Sequence, residues 1–417
     1  MRLSALWRGV LLSAAMAGLV SCGGGGGPGL AGGGIGGTGI SQGPVTGFGS
    51  VYVNGIKFET SPGIVEVEDV GGKSQDDLRV GMVVRVEWER DASGKYTAKS
   101  IKYADDVQGP VDSPALTATG GTFIVLGQTV RVDGLTVFSG TSGMAGAHPL
   151  QPGNIVEVSG LRDATGVIHA TRVEVKTGTF ESEVKGVVSG YASGSGTFQI
   201  GGVSGVTVSF SQVPAGLVNG VCVEVKGTFD SAMGIITAPS VELDDSCGLG
   251  GGVADGKEVE VEGFVSDLGV SGAGTFKVNG QLVRYDAATR YENGIAGNLW
   301  DNVRVEVEGT VSNGVLVAKK ISFKLGGDDS AGGSGGIVVN EVKGAVISTA
   351  VNSVTMSDGA QSGAPITVTV NNDTLFEDGI HRDLSNLAGG DRLKIKFYEK
   401  DGVKIALKIE LKDVEGD

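Results

Sequence analysis

Five stretches of strict alternation decide how this chain folds: GMVVRVEW at Gly81–Trp88, GNIVEVSG at Gly153–Gly160, GVCVEVKG at Gly220–Gly227, NVRVEVEG at Asn302–Gly309 and GDRLKIKF at Gly390–Phe397. Successive side chains of a β-strand point to opposite faces, so such alternation marks a strand with one buried side. Val84/Val86, Val156/Val158, Val223/Val225, Val305/Val307 and Leu393/Ile395 share the face expected to be buried. Arg85, Glu157, Glu224, Glu306 and Lys394 take the other face, expected to meet water.

Outward from it, each stretch keeps the same company. Upstream lies an opening segment: QGPV from Gln42 and again from Gln108, EVKGVV from Glu183, EVEGFV from Glu260 and EVKGAV from Glu341. A second segment follows: SVYVNG from Ser50, TFIVLG from Thr122, TFQIGG from Thr197, TFKVNG from Thr275 and a looser SVTMSDG from Ser353. Asn-Gly or Gly-Gly after an alternating run signals a hairpin turn. Downstream, each copy closes with an Ala-led strand that starts at Ala98, Ala170, Ala238, Ala318 or Ala406. Recurrence of a whole set of segments means tandem modules. They are expected at 43–105, 106–180, 181–243, 258–324 and 337–413, with Gly/Asp-rich linkers at 244–257 and 325–336.

No convincing amphipathic helix is present. Several short strands per module must close or stack to protect their edges. The expected fold is therefore all-β, a tandem row of small five-stranded OB-like β-barrels, with small β-sandwiches as runner-up. The 74 glycines in 417 residues fit many tight turns. Asp and Glu number 48 against 33 Lys and Arg, a net charge of −15. Such a surface repels phosphate backbones, so nucleic acid is not an expected partner. No segment reaches the ~20 apolar residues of a spanning helix.

Arg2 and Arg8 precede a short apolar run, Val10 to Val20, which reads as an export signal over 1–21. It ends Leu19-Val20-Ser21-Cys22, a quartet that looks like the lipobox of bacterial lipoproteins. The resemblance implies cleavage after Ser21, a thioether-linked diacylglycerol on Cys22 and acylation of the new amino group. Two or more acyl chains anchor stably where one is marginal. Gly23, rather than Asp, follows Cys22. In Gram-negative lipoproteins of this type that implies sorting to the outer membrane. Residues 22–42 read as the lipidated Cys and a Gly-rich tether, with a reach of roughly 25 Å for about 20 residues.

The stretch Gly36–Ile56 (GGTGISQGPVTGFGSVYVNGI) closely resembles bacterial lipoproteins of the family named domain of unknown function 5666. The recurring VEVEG and Ala-led segments match that domain too. The resemblance implies a small β-barrel on an exported lipoprotein, repeated along the mature chain, and it implies no activity.

Candidate chemistry is sparse. Cys222 and Cys247 form an isolated pair in an exported chain, which points to a disulfide pinning the linker to its own module. A metal site there lacks partners, since no His lies near them. His148, His169 and His381 fall in separate regions and lack zinc-site spacing. The GxSxG at Gly332–Gly336 lies in a Gly/Ser linker, without the strand and helix a nucleophile elbow needs. Acidic residues cluster at Glu66/Glu68/Asp69, Asp76/Asp77, Asp244/Asp245 and Asp328/Asp329, and without calcium-loop spacing they read as solvated loops. Tyr52, Phe123, Phe198 and Phe276 read as one recurring core position, while Trp88 and Trp300 are not equivalent. No cofactor, metal set or catalytic constellation emerges.

The expectation is a non-enzymatic, outer-membrane-anchored lipoprotein, periplasmic or surface-facing, acting as an envelope structural or protein-interaction array. The alternative is a glycan- or divalent-cation-binding envelope protein. A hydrolase would need convergent polar groups that the sequence does not display.

Overall fold

The computed structural model describes residues 37–117, 120–140, 150–201, 205–244, 247, 253–271, 274–325, 339–357, 364–377 and 379–412. The leader, Cys22 and most of the tether lie outside them. The described residues hold strands, turns and two 3-10 turns, Gln75–Asp77 and Ala296–Asn298.

Barrel 1 contains β1 (Thr38–Gly47), β2 (Val51–Val53), β3 (Ile56–Glu59), β4 (Val65–Val67), β5 (Val70–Lys73), β6 (Val83–Arg90) and β7 (Tyr96–Tyr103). Barrel 2 contains β8 (Val107–Thr117), β9 (Gly120–Val125), β10 (Gln128–Val132), β11 (Val137–Ser139), β12 (Ile155–Arg162) and β13 (Ile168–Lys176). Barrel 3 contains β14 (Ser182–Ser189), β15 (Thr197–Ile200), β16 (Val206–Phe210), β17 (Cys222–Asp230) and β18 (Ile235–Leu243). Barrel 4 contains β19 (Glu258–Ser266), β20 (Thr275–Val278), β21 (Gln281–Arg284), β22 (Arg290–Glu292), β23 (Arg304–Ser312) and β24 (Val315–Phe323). Barrel 5 contains β25 (Asn340–Ala350), β26 (Ser353–Met356), β27 (Ile366–Thr369), β28 (Leu375–Phe376), β29 (Arg392–Lys400) and β30 (Val403–Lys412).

All five close in the same way. In barrel 3, β14 pairs antiparallel with β15 and β17, β15 with β16 and β17 with β18, while β16 and β18 pair in parallel. The same cycle runs through β1, β2, β3, β7 and β6 of barrel 1. It recurs in barrel 2, barrel 4 and barrel 5. A closed cycle of five short strands leaves no free edge within itself and is OB-like in type. Barrels 1, 2, 4 and 5 add a short strand (β4, β11, β22 or β28) that pairs in parallel with the last strand of the cycle. Barrel 3 has none among the described residues.

The Ala-led segment marks a bulge. The pairing of the last two cycle strands slips beside Ala98, Ala170, Ala238, Ala318 and Ala406. A bulge bends and twists its strand, which lets a short sheet curl shut. The facing position is glycine in three barrels. A Cβ on Gly160, Gly227 or Gly309 would meet the carbonyl oxygen of His169, Thr237 or Val317 at 2.6, 2.4 and 2.2 Å. The alternating valines fill the interiors, and Val86, Val156, Val158, Val223, Val225, Val305, Val307 and Ile395 are wholly buried. Phe123, Phe198 and Phe276 are core as expected. Tyr52 is not. Val51 holds that core position, and Tyr52, one residue on, faces outward with the Arg382 guanidinium 5.0 Å from its ring.

The barrels form one compact unit from residue 36 onward. Two corrections follow. First, residues 38–42 belong to β1 rather than to the tether. This strand pairs with β6 on one side and in parallel with β19 of barrel 4 on the other, Gly39 opposite Glu258 through Gln42 opposite Val261. Gly39 reads as a flexible residue, yet close approach demands it: a Cβ would lie 2.3 Å from Trp88 Cζ2 and 2.5 Å from the Glu258 carbonyl oxygen. Second, in barrels 2, 3 and 4 the outward glutamate of the alternating strand does not meet water. Glu157, Glu224 and Glu306 are buried, because those faces meet neighbouring barrels. β8 and β14 pair across barrels 2 and 3, whose cores merge into one. Barrel 5 docks through Arg382, which donates to Thr46 Oγ1 (3.0 Å), and through Lys396 and Lys408, which donate to the Gly134 and Thr136 carbonyls.

Gly39→Val is expected to lower stability by about 1–3 kcal/mol, the usual range for overpacking. Gly71→Ala, where an added Cβ meets nothing within 4 Å, is expected to stay within about 0.5 kcal/mol. Urea unfolding of both variants checks this.

Candidate functional site

Two clefts open where barrels meet. One, of about 680 Å³, lies among barrels 1 to 4 and is lined by residues including Glu66, Lys102, Arg162, Lys185, Glu224 and Phe264. The other, of about 730 Å³, lies among barrels 1, 2, 4 and 5, with Arg131, His169, Trp300, Lys324, Asp373 and Tyr398 on its walls.

Beside the first cleft, carboxylate oxygens of Glu68, Asp105 and Glu157 lie within 4.8 Å of one another. Glu68 sits in the two-residue turn between β4 and β5, with φ +47°, and Asp69 beside it has φ +60°. Non-glycine residues seldom occupy that region, and here the turn aims Glu68 at the junction. The Asp105 backbone N–H donates to Glu68 Oε1 (3.0 Å), and the Glu68 N–H to the Tyr103 carbonyl (3.1 Å). Asp105 belongs to the link from β7 to β8 and is 1% exposed. Glu157, midway along β12, accepts from the Tyr103 hydroxyl (2.8 Å) and from Lys176 Nζ (2.7 Å). Burial, with the Glu157 charge next, pushes the Glu68 carboxyl up to about 7. Burial and the charges of Glu183, Glu68 and Glu157 push Asp105 well above the carboxylate range. Glu183, on β14, rises to about 9 through burial and the charges of Glu68 and Glu224.

A second group, Glu260, Glu306 and Glu308, lies at the seam of barrels 1 and 4. It is neutralised differently. Lys324 Nζ stands 2.6 Å from Glu306 Oε2, Lys320 pairs with Glu308, and Ser41 Oγ donates to Glu260 Oε2 (3.1 Å). Burial nevertheless raises Glu306 to about 7, and burial plus the charges of Glu306 and Glu308 raise Glu260 well above its ordinary value.

Cys222 and Cys247 are joined by a disulfide, Cα atoms 5.8 Å apart, which ties residue 247 to β17. Cys22, His148, Asp245, Asp328, Asp329 and the Gly332–Gly336 motif lie outside the described residues. His169 Nε2 is 3.0 Å from Asp163 Oδ2, and its ring packs on Phe264 at 4.3 Å. His381 is exposed and sits near Ser385 Oγ. Asp76 and Asp77 are exposed, in the 3-10 turn capped by Ser74 rather than in a loop. Glu66 pairs with Lys102 (3.1 Å) and Asp69 with Lys226 (2.8 Å). The reading of Glu68 as a solvated loop residue is overturned, because its Oε2 is buried. Trp88 is buried and donates to Ser41 Oγ (3.1 Å), while Trp300 is 38% exposed.

A family profile described as Domain of unknown function (DUF5666) matches residues 41–102, 108–174, 262–322 and 343–410. Together these stretches make up more than half of the chain. The chain belongs to this family. The four matches coincide with the four barrels that carry the extra parallel strand. Barrel 3 has the same strand cycle as the other four without a match. No curated protein matches the chain.

Sequence reading missed Asp105, Glu183 and Glu260, and placed Glu157 and Glu306 in water. One signal was available. Glu recurs at the outward position of the alternating strands in three modules, and three of five opening segments start with Glu. A carboxylate recurring at one strand position is what a shared polar seam needs.

These carboxyls set a pH dependence. Glu68, Glu183 and Glu306 have folded-state values of about 7, 9 and 7 against an ordinary 4.5. The folded protein therefore holds more protons than the unfolded chain between pH 4.5 and those values. Their stabilising contribution is full below about pH 4.5 and falls as pH rises through 7 to 9. In chelator, the melting temperature is expected to fall from pH 5.5 to pH 9, and Glu183→Gln to flatten the alkaline part of that fall. Thermal unfolding across the range checks both.

Proposed function

We infer that this protein is a non-enzymatic lipoprotein of the outer membrane, held by acyl chains on Cys22. Its fused barrels serve as an envelope structural or protein-interaction body. The observation that carries this reading is the place of β1. It is the first strand after the tether and also the seam of the molecule, bonded to β2 and β6 in barrel 1 and to β19 in barrel 4. Load on the anchor enters through that strand and spreads over two barrels. The lipobox-like quartet supports the same anchor.

The second cleft favours one other reading, a glycan-binding protein. Trp300 offers an exposed flat ring there, and Asn293, Asn298, Asn302 and Asn372 line the same cleft with amides.

Crosslinking in intact cells with a C-terminal tag, followed by denaturing purification and mass spectrometry, tests the first reading. The expected outcome is a reproducible protein adduct in the outer-membrane fraction, with Cys22→Ala released to the soluble fraction. Retention of Cys22→Ala in the membrane overturns the anchor. Recovery of the lipidated chain without protein adducts overturns the interaction role, and saturable glycan binding lost in Trp300→Ala then selects the second reading.

A further inference from the structure

We propose that Glu68, Asp105 and Glu157 bind a calcium ion that staples the first barrel to the second. The three side chains come from separate pieces of the chain: the β4–β5 turn, the β7–β8 link and the middle of β12. Their oxygens lie within 4.8 Å of one another, a span that calcium–oxygen bonds of about 2.3–2.6 Å can bridge. Asp105 decides the matter. It is 1% exposed, yet its Oδ1 is buried without a hydrogen-bond partner, and Glu68 Oε2 is in the same condition. A buried acceptor left so is destabilising and rare.

The ammonium groups nearby leave the Glu68 and Asp105 carboxyls without an ion pair, and Lys176 reaches the trio at Glu157 alone. Lys176 pairs with Glu157 and Glu174, Lys226 with Asp69 and Glu224, and Lys185 Nζ donates to the Ala104 carbonyl (3.2 Å). The group at Glu260, Glu306 and Glu308 makes the contrast. There Lys324 and Lys320 stand against two of the three carboxylates, so the seam already holds its cations.

Three carboxylates with no nitrogen or sulfur donor select a hard cation. Magnesium keeps several waters in a strict octahedron, whereas calcium accepts flexible, bidentate carboxylate coordination. Orphaned oxygens that are buried suit the second. Asp69, Tyr103, Ala104 and Asp106, chain neighbours of the ligands, line the first cleft and offer a way in. The site does not depend on the anchoring role.

Terbium(III) in place of calcium tests the site on the full chain, purified in detergent and stripped with chelator. Tyr103 lies against Glu157 and serves as the antenna for terbium emission. The expected result is saturable emission, displaced by calcium, and a melting temperature raised by calcium. Asp105→Asn and, at the rim, Glu68→Gln should each weaken calcium about tenfold or more. In chelator Asp105→Asn should melt no lower than the parent, since it replaces a carboxyl whose Oδ1 is buried without a partner. Glu306→Gln should leave the emission unchanged. Absence of saturable emission from the parent, or emission and calcium shift unmoved by both Asp105→Asn and Glu68→Gln, overturns the proposal.

Discussion

The parallel pairing of β1 with β19 is the contact on which the rest depends. It joins the first described strand to a strand more than two hundred residues later. Parallel partners cannot be joined by a tight turn, so the whole of barrels 1 to 3 lies between the two strands. The pair is locked by polar contacts crossing it. Trp88 Nε1 donates to Ser41 Oγ, Ser41 Oγ donates to Glu260, and Arg90 pairs with Glu258 at 3.2 Å. Once barrel 4 returns to barrel 1, barrels 2, 3 and 5 have common neighbours to pack against.

That return turns the outside of each barrel into the inside of the assembly. The apolar interiors of barrels 1, 4 and 5 are separate clusters, so closure of each needs little from the others. Docking is mostly polar. It uses carbonyls at strand ends, lysines and arginines reaching across, and carboxylates that a lone barrel would leave in water. Buried ion pairs add little net stability, but removing one partner costs about 3–5 kcal/mol. A polar seam of this kind therefore rejects wrong registers more strongly than it rewards the right one. Five barrels of one topology need such selection, because their strand edges would otherwise be interchangeable.

The strand cycle was legible in the sequence because one face of each strand is apolar and alternation reports it. Phe123, Phe198 and Phe276 fell where the pattern put them. Tyr52 did not, since period-two reading fails by a whole face when an alignment slips by one residue. Gly39 was illegible for another reason. Glycine in a Gly-rich run means freedom, and glycine against an indole means contact, and composition cannot separate the two. Glu157, Glu224 and Glu306 were misread because a strand pattern says which face is apolar, not what covers the polar one. Asp105 carried no signal, because its burial is set by three barrels at once.

The buried carboxylates meet their charge in several ways, and geometry chooses among them. Where a long side chain can reach, as Lys324 reaches Glu306, an ammonium does it. Where a carboxyl lies among others, as Glu183 lies beside Glu68 and Glu224, a proton does it, and the acid titrates near 9. Asp105 has its carboxyl neighbours Glu68 and Glu157 fixed by backbone and tyrosine hydrogen bonds. A proton there would satisfy one of the two orphaned oxygens and leave the other. A divalent cation satisfies both at once, which is why the junction of barrels 1 and 2, rather than the lysine-rich seam of barrels 1 and 4, is the place where this fold has use for a metal.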